Sequence, residues 1–144
     1  MLDKVSQFAD VYLFTASEEV YANKLLSVID PTGKVFKRKF FKGDCIRGKN
    51  GQFIKDLTIL KYPLERIVLV DNSTFSFCYQ LFNGIPIINF EGSAEDTELS
   101  QLSEYLESLV SQADVRRCNA KYFKLDYYFR SRSILELFAK LFKS

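Results

Sequence analysis

Short apolar runs alternate with segments of helical periodicity along most of the chain. Three runs, at 11–16, 67–72 and 85–90, are continuous and rich in β-branched or aromatic residues, which is typical of buried strands in a parallel sheet. Between and after these runs, apolar residues recur every three or four positions, as in amphipathic helices. The predicted helices cover residues 2–9, 18–29, 74–82 and 96–113. Strands that alternate with helices predict an α/β fold with a parallel sheet.

The middle of the sequence has a different pattern. Residues 35–55 mix β-branched and aromatic residues with charges, and Asn50-Gly51 is a strong signal for a type I′ hairpin. We therefore predict a small antiparallel insert at 35–55. A short helical turn is predicted over 56–61, ending before Pro63 because proline lacks a backbone N–H.

The predicted helix over residues 18–29 is amphipathic. Ser17 stands where an N-cap is expected, and two glutamates follow it in the first turn. The apolar residues form one stripe, which is typical of a helix that packs on a core. They are Val20, Tyr21, Leu25, Val28 and Ile29.

Composition limits the chemistry that this chain can perform. Its 144 residues suffice for one core, and the formal net charge of +2 gives no general reason to expect a nucleic-acid partner. The absence of histidine excludes histidine bases and imidazole metal sites. The three cysteines lie far apart, so neither a disulfide framework nor a zinc site is predicted. Without a signal pattern or an apolar run of about 18 residues, we expect an intracellular, soluble chain.

Polar side chains follow two of the predicted strands. Thr15 and Ser17 come after the first strand, Asp71 and Asn72 end a later one, and Lys55 lies where the insert returns to the sheet. Open α/β sheets bind ligands beyond the carboxyl ends of their strands. Hydroxyl and ammonium groups suit phosphate, and carboxylate and amide oxygens suit Mg²⁺. The same residue types are also common in turns and helix caps, so the pattern alone leaves both interpretations open.

An ordered set of motifs resembles a known family. The motifs are FTAS (14–17), FIKDL (53–57), IVLVDNS (67–73), IPIINF (85–90) and EDTEL (95–99). Together they resemble the phosphatase domain of the RNA polymerase II C-terminal-domain phosphatases, most closely the small and Dullard-type members, within the haloacid dehalogenase superfamily. The resemblance covers about residues 2–112 and implies a Rossmann-like parallel sheet of haloacid dehalogenase type with a small antiparallel insert.

The resemblance also implies roles for the polar residues. Thr15, with Ala16, and Lys55 would bind phosphate. Asp71 and Asn72 would serve Mg²⁺, which is the cofactor that the resemblance implies. The substrate or ligand would be phosphoserine or phosphothreonine in a protein or peptide.

The motif that attacks phosphorus is absent from this sequence. Members of the family carry Asp-x-Asp-x-Thr on a first strand upstream of FTAS, where the first aspartate forms an aspartyl-phosphate and the second protonates the leaving oxygen. No two aspartates of this chain are separated by a single residue. We therefore expect a truncated copy or a fragment of a phosphatase, inactive by itself. The alternative is a non-catalytic phosphopeptide- or protein-binding module, as in the related mitochondrial import receptor.

The missing motif also removes a strand. In this superfamily that strand lies between the strands that precede Thr15 and Asn72. Its loss would leave backbone groups without partners, at a cost of about 1–3 kcal/mol for each one that is buried. We expect the two neighbouring strands to pair with each other, to borrow a partner strand or to be less ordered.

Two further features allow a functional or a structural interpretation. Cys78 lies on a predicted apolar helix and is expected to be a small core residue, not a nucleophile. A basic cluster beside the predicted substrate groove either recruits an acidic or already phosphorylated peptide or protects an edge strand, and we favour protection slightly. The cluster consists of Lys34, Lys37, Arg38, Lys39 and Lys42.

The last part of the chain, 113–144, is predicted to be an extension of an incomplete phosphatase-like domain at 1–112. Within it, residues 130–144 have the pattern of a basic amphipathic helix. We favour packing of this helix on its own domain, and contact with a membrane or a partner is the alternative.

Overall fold

The computed structural model describes residues 1–125. The helices are α1 (Leu2–Val5), α2 (Glu19–Ile29), α3 (Glu98–Leu109) and α4 (Val115–Tyr122). The strands are β1 (Val11–Phe14), β2 (Phe36–Phe40), β3 (Ile46–Arg47), β4 (Phe53–Ile54), β5 (Leu69–Asp71) and β6 (Gly84–Pro86). Short 3₁₀ helices cover Lys42–Asp44, Leu57–Leu60, Leu64–Arg66 and Cys78–Asn83. The chain divides into two compact units, one of residues 1–45 and 89–111 and the other of residues 46–88 and 112 onward.

The first unit contains a parallel pair of strands. β1 pairs with β2, from Val11 opposite Phe36 to Phe14 opposite Phe40, and α2 connects the two strands. The side chain of Phe40 is buried, and its ring centroid lies 5.2 Å from that of Phe14. In the same unit α1 packs against α3, the helix predicted over 96–113.

This strand pair corrects two expectations. The antiparallel insert is confined to β3 and β4, because β2, which also falls within 35–55, runs parallel to β1. β1 is half-buried along its length, although the sequence predicts a fully buried strand. The reason is that β1 has β2 as its one partner strand within residues 1–125.

The prediction that Ser17 caps the helix after β1 is wrong. α2 begins at Glu19, and the N-cap position is occupied by Glu18. The backbone N–H of Ser17 donates to Thr15 Oγ1 at 3.1 Å, and its carbonyl accepts from the amide of Lys42 at 3.1 Å. These two hydrogen bonds hold Ser17 in a turn that precedes the helix.

The apolar stripe of α2 faces away from the core of its unit. The helix buries Ala22 and Leu26. The five stripe residues, which the sequence pattern assigns to a core, are instead between 47% and 77% exposed. α2 therefore presents a row of large apolar side chains that no part of residues 1–125 covers.

The second unit has its core around Phe77. β5 and β6 form a parallel pair in which Leu69 lies opposite Gly84 and Asp71 opposite Pro86. The side chain of Phe77 is completely buried. The buried cluster consists of Leu57, Ile67, Leu69, Phe77 and Leu81.

The segment between β5 and β6 is not the α-helix that periodicity predicts over 74–82. It consists of turns and the 3₁₀ helix Cys78–Asn83, which is interrupted at Gln80 by a non-helical backbone (φ −127°, ψ 62°). Asn83 Nδ2 donates to the carbonyls of Leu64 and Ile67 at 2.6 and 2.7 Å. These long-range hydrogen bonds fix the end of the segment, and local periodicity carries no signal for them.

Helix α4 has no counterpart among the predicted elements. Asp114 caps it by accepting from the amide of Arg116 at 3.0 Å, and Arg116 pairs with Glu65 at 2.7 Å. Asn119 is completely buried, and its Nδ2 donates to the carbonyl of Phe82 at 3.0 Å. The sequence pattern misses this helix because a buried asparagine, not an apolar stripe, anchors it.

Within residues 1–125, β1 and β5 belong to separate two-stranded sheets, so direct pairing, one of the three expected outcomes, is not the one observed. The predicted amphipathic helix at 130–144 lies outside the described residues. Among the helices of residues 1–125, none combines the length and the apolar character needed to cross a bilayer.

Asp30 fixes the connection between α2 and β2. Its buried carboxylate accepts from the amides of Lys34, Val35 and Phe36 at 3.0, 3.2 and 3.5 Å. Burial by itself would raise the pKa of the Asp30 carboxyl. The three amides, together with the charge of Lys39, outweigh burial and hold that pKa below its ordinary value of 3.8.

We expect Asp30→Asn to weaken the dependence of stability on pH in acid. Because folding lowers the Asp30 pKa below the unfolded value of about 3.9, its stabilising effect is complete above that value. The effect is lost as the pH falls through the lower, folded pKa. Urea unfolding of both proteins from pH 7 to pH 2 would measure this, with Asp3→Asn as an exposed control. Parallel pH profiles for wild type and Asp30→Asn would contradict it.

We expect Gly84→Ala to destabilise the second unit. A Cβ at position 84 would lie 2.1 Å from Cδ2 of Phe77, so the buried ring would have to move. Overpacking of this kind costs about 1–3 kcal/mol in the free energy of unfolding, measurable by urea denaturation. Gly43→Ala is the matched control, because a Cβ there meets no atom within 4 Å. Equal stability of the two variants would show that the Phe77 ring accommodates the methyl group.

Candidate functional site

A buried ion pair joins two of the residues that the sequence singles out. Lys55 Nζ lies 2.5 Å from Asp71 Oδ2, and the two residues are 8% and 9% exposed. The second carboxylate oxygen, Oδ1, accepts from the amide of Ser73 at 2.8 Å. Both oxygens of Asp71 are therefore engaged by donors from its own unit.

The strands place this pair through their backbone. Lys55 directly follows β4, and its amide donates to the carbonyl of Ser76 at 2.8 Å. Asp71 is the last residue of β5, and its carbonyl accepts from the amide of Ile87 at 3.1 Å. Each charged side chain thus starts from a backbone position that is itself hydrogen-bonded.

A second group of hydrogen bonds holds the residues that follow Lys55. Asp56 Oδ1 accepts from the amide and hydroxyl of Thr58 at 3.0 and 2.9 Å and from Gln80 Nε2 at 2.8 Å. Gln80 Oε1 in turn accepts from the amide of Leu57 at 3.1 Å. Burial raises the pKa of the Asp56 carboxyl, but the hydrogen bonds from Thr58 and Gln80 together lower it below 3.8. No motif or periodicity in the sequence marks Gln80, because its side chain contacts residues more than twenty positions away.

Thr15 and Ala16, the other predicted phosphate-binding residues, belong to the first unit. They follow β1, where the amide of Thr15 donates to the carbonyl of Phe40 at 3.0 Å. The hydroxyl oxygen of Thr15 accepts from the amide of Ser17 at 3.1 Å, which is a turn contact of the kind that the alternative interpretation foresees. Both side chains are partly exposed.

The predicted metal ligands of this chain do not by themselves fit a magnesium ion. Mg²⁺ requires close to six oxygen ligands, usually including one or two carboxylates. Both oxygens of Asp71 are already engaged, by Lys55 and by Ser73, and Asn72 is an exposed neutral amide. In the described part of the chain, no three histidine, cysteine, aspartate or glutamate side chains lie close enough to hold a metal ion.

The basic cluster lies along β2 and the turn after it. Lys37 pairs with Asp10 and Lys42 pairs with Glu18, each at 2.6 Å. The guanidinium of Arg38 lies 4.8 Å from the ring centroid of Phe40. These local partners suit the protection of an edge strand better than the recruitment of a peptide.

Cys78 is a buried core residue, as the sequence analysis expects. Burial raises the pKa of its thiol above the ordinary value of 9.0, and hydrogen bonds from backbone amides offset this only in part. A thiol of this kind is protonated at neutral pH, so it is a poor nucleophile.

Two solved structures have the same fold. One is fission yeast RNA polymerase II CTD phosphatase Fcp1 bound to beryllium fluoride, with 21% identity, a TM-score of 0.51 and coverage of 83% of this chain and 35% of that chain. The other is described as Fcp1, an essential RNA polymerase II CTD phosphatase, with 19% identity, a TM-score of 0.52 and coverage of 91% and 36%. At these identities the likeness concerns the fold alone. The parallel strand pairs and this likeness define an α/β fold shared with Fcp1, and an α/β fold is what the sequence predicts.

The chain belongs to the NLI interacting factor-like phosphatase family, whose family model matches residues 1–116. It is 45% identical over 124 residues to CTD small phosphatase-like protein 2 of Dictyostelium discoideum, covering 86% of this chain and 22% of that protein. It is 38% identical over 116 residues to CTD small phosphatase-like protein 3 of Caenorhabditis elegans, covering 80% and 40%. It is 34% identical over 115 residues to CTD nuclear envelope phosphatase 1 of Xenopus tropicalis, covering 80% and 47%.

The predicted relationship to the CTD phosphatases is therefore confirmed. The chain spans less than half of the length of each of these three relatives. What the complete relatives bind or act on consequently reaches this chain only as a proposal.

We expect Lys55→Met to destabilise the second unit far more than Lys37→Met. Removing Lys55 leaves the carboxylate of Asp71 buried without its cation, which costs about 3–5 kcal/mol. Lys37 and Asp10 form an exposed pair, and its loss costs about 0–1 kcal/mol. Chemical denaturation measures both values.

The double variant Lys55→Met/Asp71→Leu tests the cause of this effect. Because it removes both charges, we expect it to recover much of the stability that Lys55→Met loses. A double variant less stable than Lys55→Met would show that the stability depends on packing and not on the unpaired charge.

Proposed function

We propose that this chain is the phosphate-binding part of a protein serine/threonine phosphatase-like domain, and that by itself it binds phosphoserine or phosphothreonine peptides without hydrolysing them. The observation that carries this proposal is the ammonium of Lys55, buried and held by Asp71 in a chain of phosphatase ancestry. In complete relatives, hydrolysis would use the Asp-x-Asp-x-Thr motif that this sequence lacks.

The ammonium of Lys55 is suited to one phosphate oxygen. An ammonium group has three N–H donors, and within the described residues Asp71 accepts from one of them, which leaves two for a ligand. Because Asp71 also neutralises much of the charge, affinity for inorganic phosphate should be modest. Thr15 and Ala16, in the first unit, remain proposed phosphate-binding residues through a hydroxyl and a backbone amide.

Asp71 is a poor substitute for the missing nucleophile. A carboxylate that attacks phosphorus needs an oxygen lone pair directed at the substrate. In this chain Oδ2 accepts from Lys55 and Oδ1 accepts from Ser73. Each oxygen thus already has a lone pair engaged by a donor, which weakens it as a nucleophile.

The predicted magnesium dependence is proposed only for a domain that gains further carboxylates, since the described residues do not fit the ion. A nuclear or cytoplasmic location is likewise proposed, and the similarity to nuclear envelope phosphatases supports it. The alternative function is that of a permanent binding module, in which no added segment restores hydrolysis.

A combined binding and turnover measurement tests the proposal. We expect no hydrolysis when the chain is incubated with Mg²⁺ and an aryl phosphate. In a separate titration, binding to the chain should broaden or shift the ³¹P resonance of inorganic phosphate. Lys55→Met should weaken binding about tenfold or more, because it removes a charge-assisted hydrogen bond. Lys37→Met, which removes an exposed lysine, should leave binding unchanged. Turnover that Asp71→Ala abolishes would contradict the proposed inactivity, and undiminished binding by a folded Lys55→Met would contradict the proposed site.

Addition of a separate peptide distinguishes the two functions. A synthetic peptide with a β-branched strand pattern that carries Asp-x-Asp-x-Thr is mixed with the chain and the aryl phosphate. Turnover that requires both peptide and chain supports an incomplete phosphatase. Persistent inactivity with intact phosphate binding supports the permanent binding module.

A further inference from the structure

We infer that Gln80 is a positioning residue for Lys55, acting through the two residues that follow Lys55 in the sequence. This inference deepens the proposed function and rests on it for the identity of the ligand. Two hydrogen bonds of the Gln80 side chain and one of the Lys55 amide, all within the second unit, support the positioning role.

Gln80 uses both ends of its amide on the segment that follows Lys55. Its Nε2 donates to Asp56 Oδ1 at 2.8 Å, and its Oε1 accepts from the amide of Leu57 at 3.1 Å. These are the two residues directly after Lys55 in the sequence. One side chain thereby fixes both the carboxylate that caps the 3₁₀ helix and the first amide of that helix.

The backbone of Gln80 is shaped to allow this contact. Gln80 interrupts the 3₁₀ helix Cys78–Asn83 with an extended-like φ of −127° and a ψ of 62°. From this break in the helix, the side chain of Gln80 reaches Asp56 and Leu57 with its two hydrogen bonds.

Lys55 is consequently held on both sides. Before it, β4 pairs with β3, and the amide of Lys55 itself donates to the carbonyl of Ser76. After it, Asp56 and Leu57 are fixed by Gln80. A lysine side chain has four rotatable bonds. The hydrogen bonds on either side of Lys55 fix its backbone and so fix the point from which this side chain starts. With the backbone fixed, one rotamer of the Lys55 side chain is enough to place the ammonium next to Asp71.

Alternative explanations of the Gln80 contacts make different predictions. If Gln80 merely stabilises the fold, any variant that lowers the free energy of unfolding by the same amount should change the NMR signal of the Lys55 ammonium by the same amount. Asn83 provides that comparison, since it lies in the same 3₁₀ helix and its amide also makes two hydrogen bonds, to Leu64 and Ile67. Those bonds do not involve residues 55–57.

The experiment compares Gln80→Met, which keeps the volume and removes both hydrogen bonds, with Asn83→Ala. Lysine-labelled protein gives an NMR signal for the Lys55 ammonium, assigned by its loss in Lys55→Met. We expect Gln80→Met to shift or broaden this signal and Asn83→Ala to leave it in place. Phosphate affinity should fall about fivefold in Gln80→Met, since one or two hydrogen bonds no longer orient the lysine.

Two further variants keep the test decisive. Gln80→Glu keeps an oxygen that can accept from the amide of Leu57, but it places a second carboxylate next to that of Asp56. It should therefore disturb the Lys55 signal, and it can be measured even if Gln80→Met fails to fold. Gln101→Ala removes an exposed glutamine whose Nε2 donates to Thr97 Oγ1 at 2.8 Å, and it should change neither measurement. An unchanged Lys55 signal in both Gln80 variants overturns the inference.

The two readouts separate this inference from the proposed function. If the wild-type chain does not bind phosphate, the proposed function fails, and the ammonium signal still decides the role of Gln80. If phosphate binds and the Gln80 variants bind it as tightly as Asn83→Ala does, the positioning role fails and the proposed function stands.

Discussion

Burying an ammonium or a carboxylate is costly unless an opposite charge lies at hydrogen-bond distance, and this constraint applies to one pair of residues in the second unit. Lys55 and Asp71 come from the ends of two strands that belong to different pairs, β4 and β5. Their contact therefore ties the small antiparallel pair to the parallel pair. The amide of Ser73 donates to the second oxygen of Asp71, and the backbone amide of Lys55 donates to the carbonyl of Ser76.

The same constraint gives a reason, independent of catalysis, for Lys55 and Asp71 to be retained. A chain that loses its phosphate-attacking aspartate would still be destabilised by losing either Lys55 or Asp71, because the other charge would remain buried. Selection for folding alone would then retain both residues. Their presence in a relative of the phosphatases is consequently a sign of the fold and of a place for an anion, and it does not by itself indicate hydrolysis.

Local patterns in the sequence predict the parts of the molecule that local forces determine. Periodicity identifies α2 and α3, the missing N–H of Pro63 limits the helical turn at 56–61, and polar residues at strand ends identify Lys55 and Asp71. The direction of β2 is missed because the same alternation of side chains suits parallel and antiparallel pairing.

Local sequence patterns also miss the 3₁₀ helix after β5 and the whole of α4, because long-range contacts determine both. Buried amides anchor them, Asn83 and Asn119 above all, and each of these amides finds its acceptor far away along the chain.

The outward-facing apolar stripe of α2 has a thermodynamic consequence as well. Unfolding raises heat capacity mainly by bringing apolar surface into water, and side chains such as Tyr21 and Val28 are largely in water already. Within residues 1–125 this stripe therefore adds little to the heat-capacity change of unfolding, for which the usual value is about 12–15 cal/mol/K per residue.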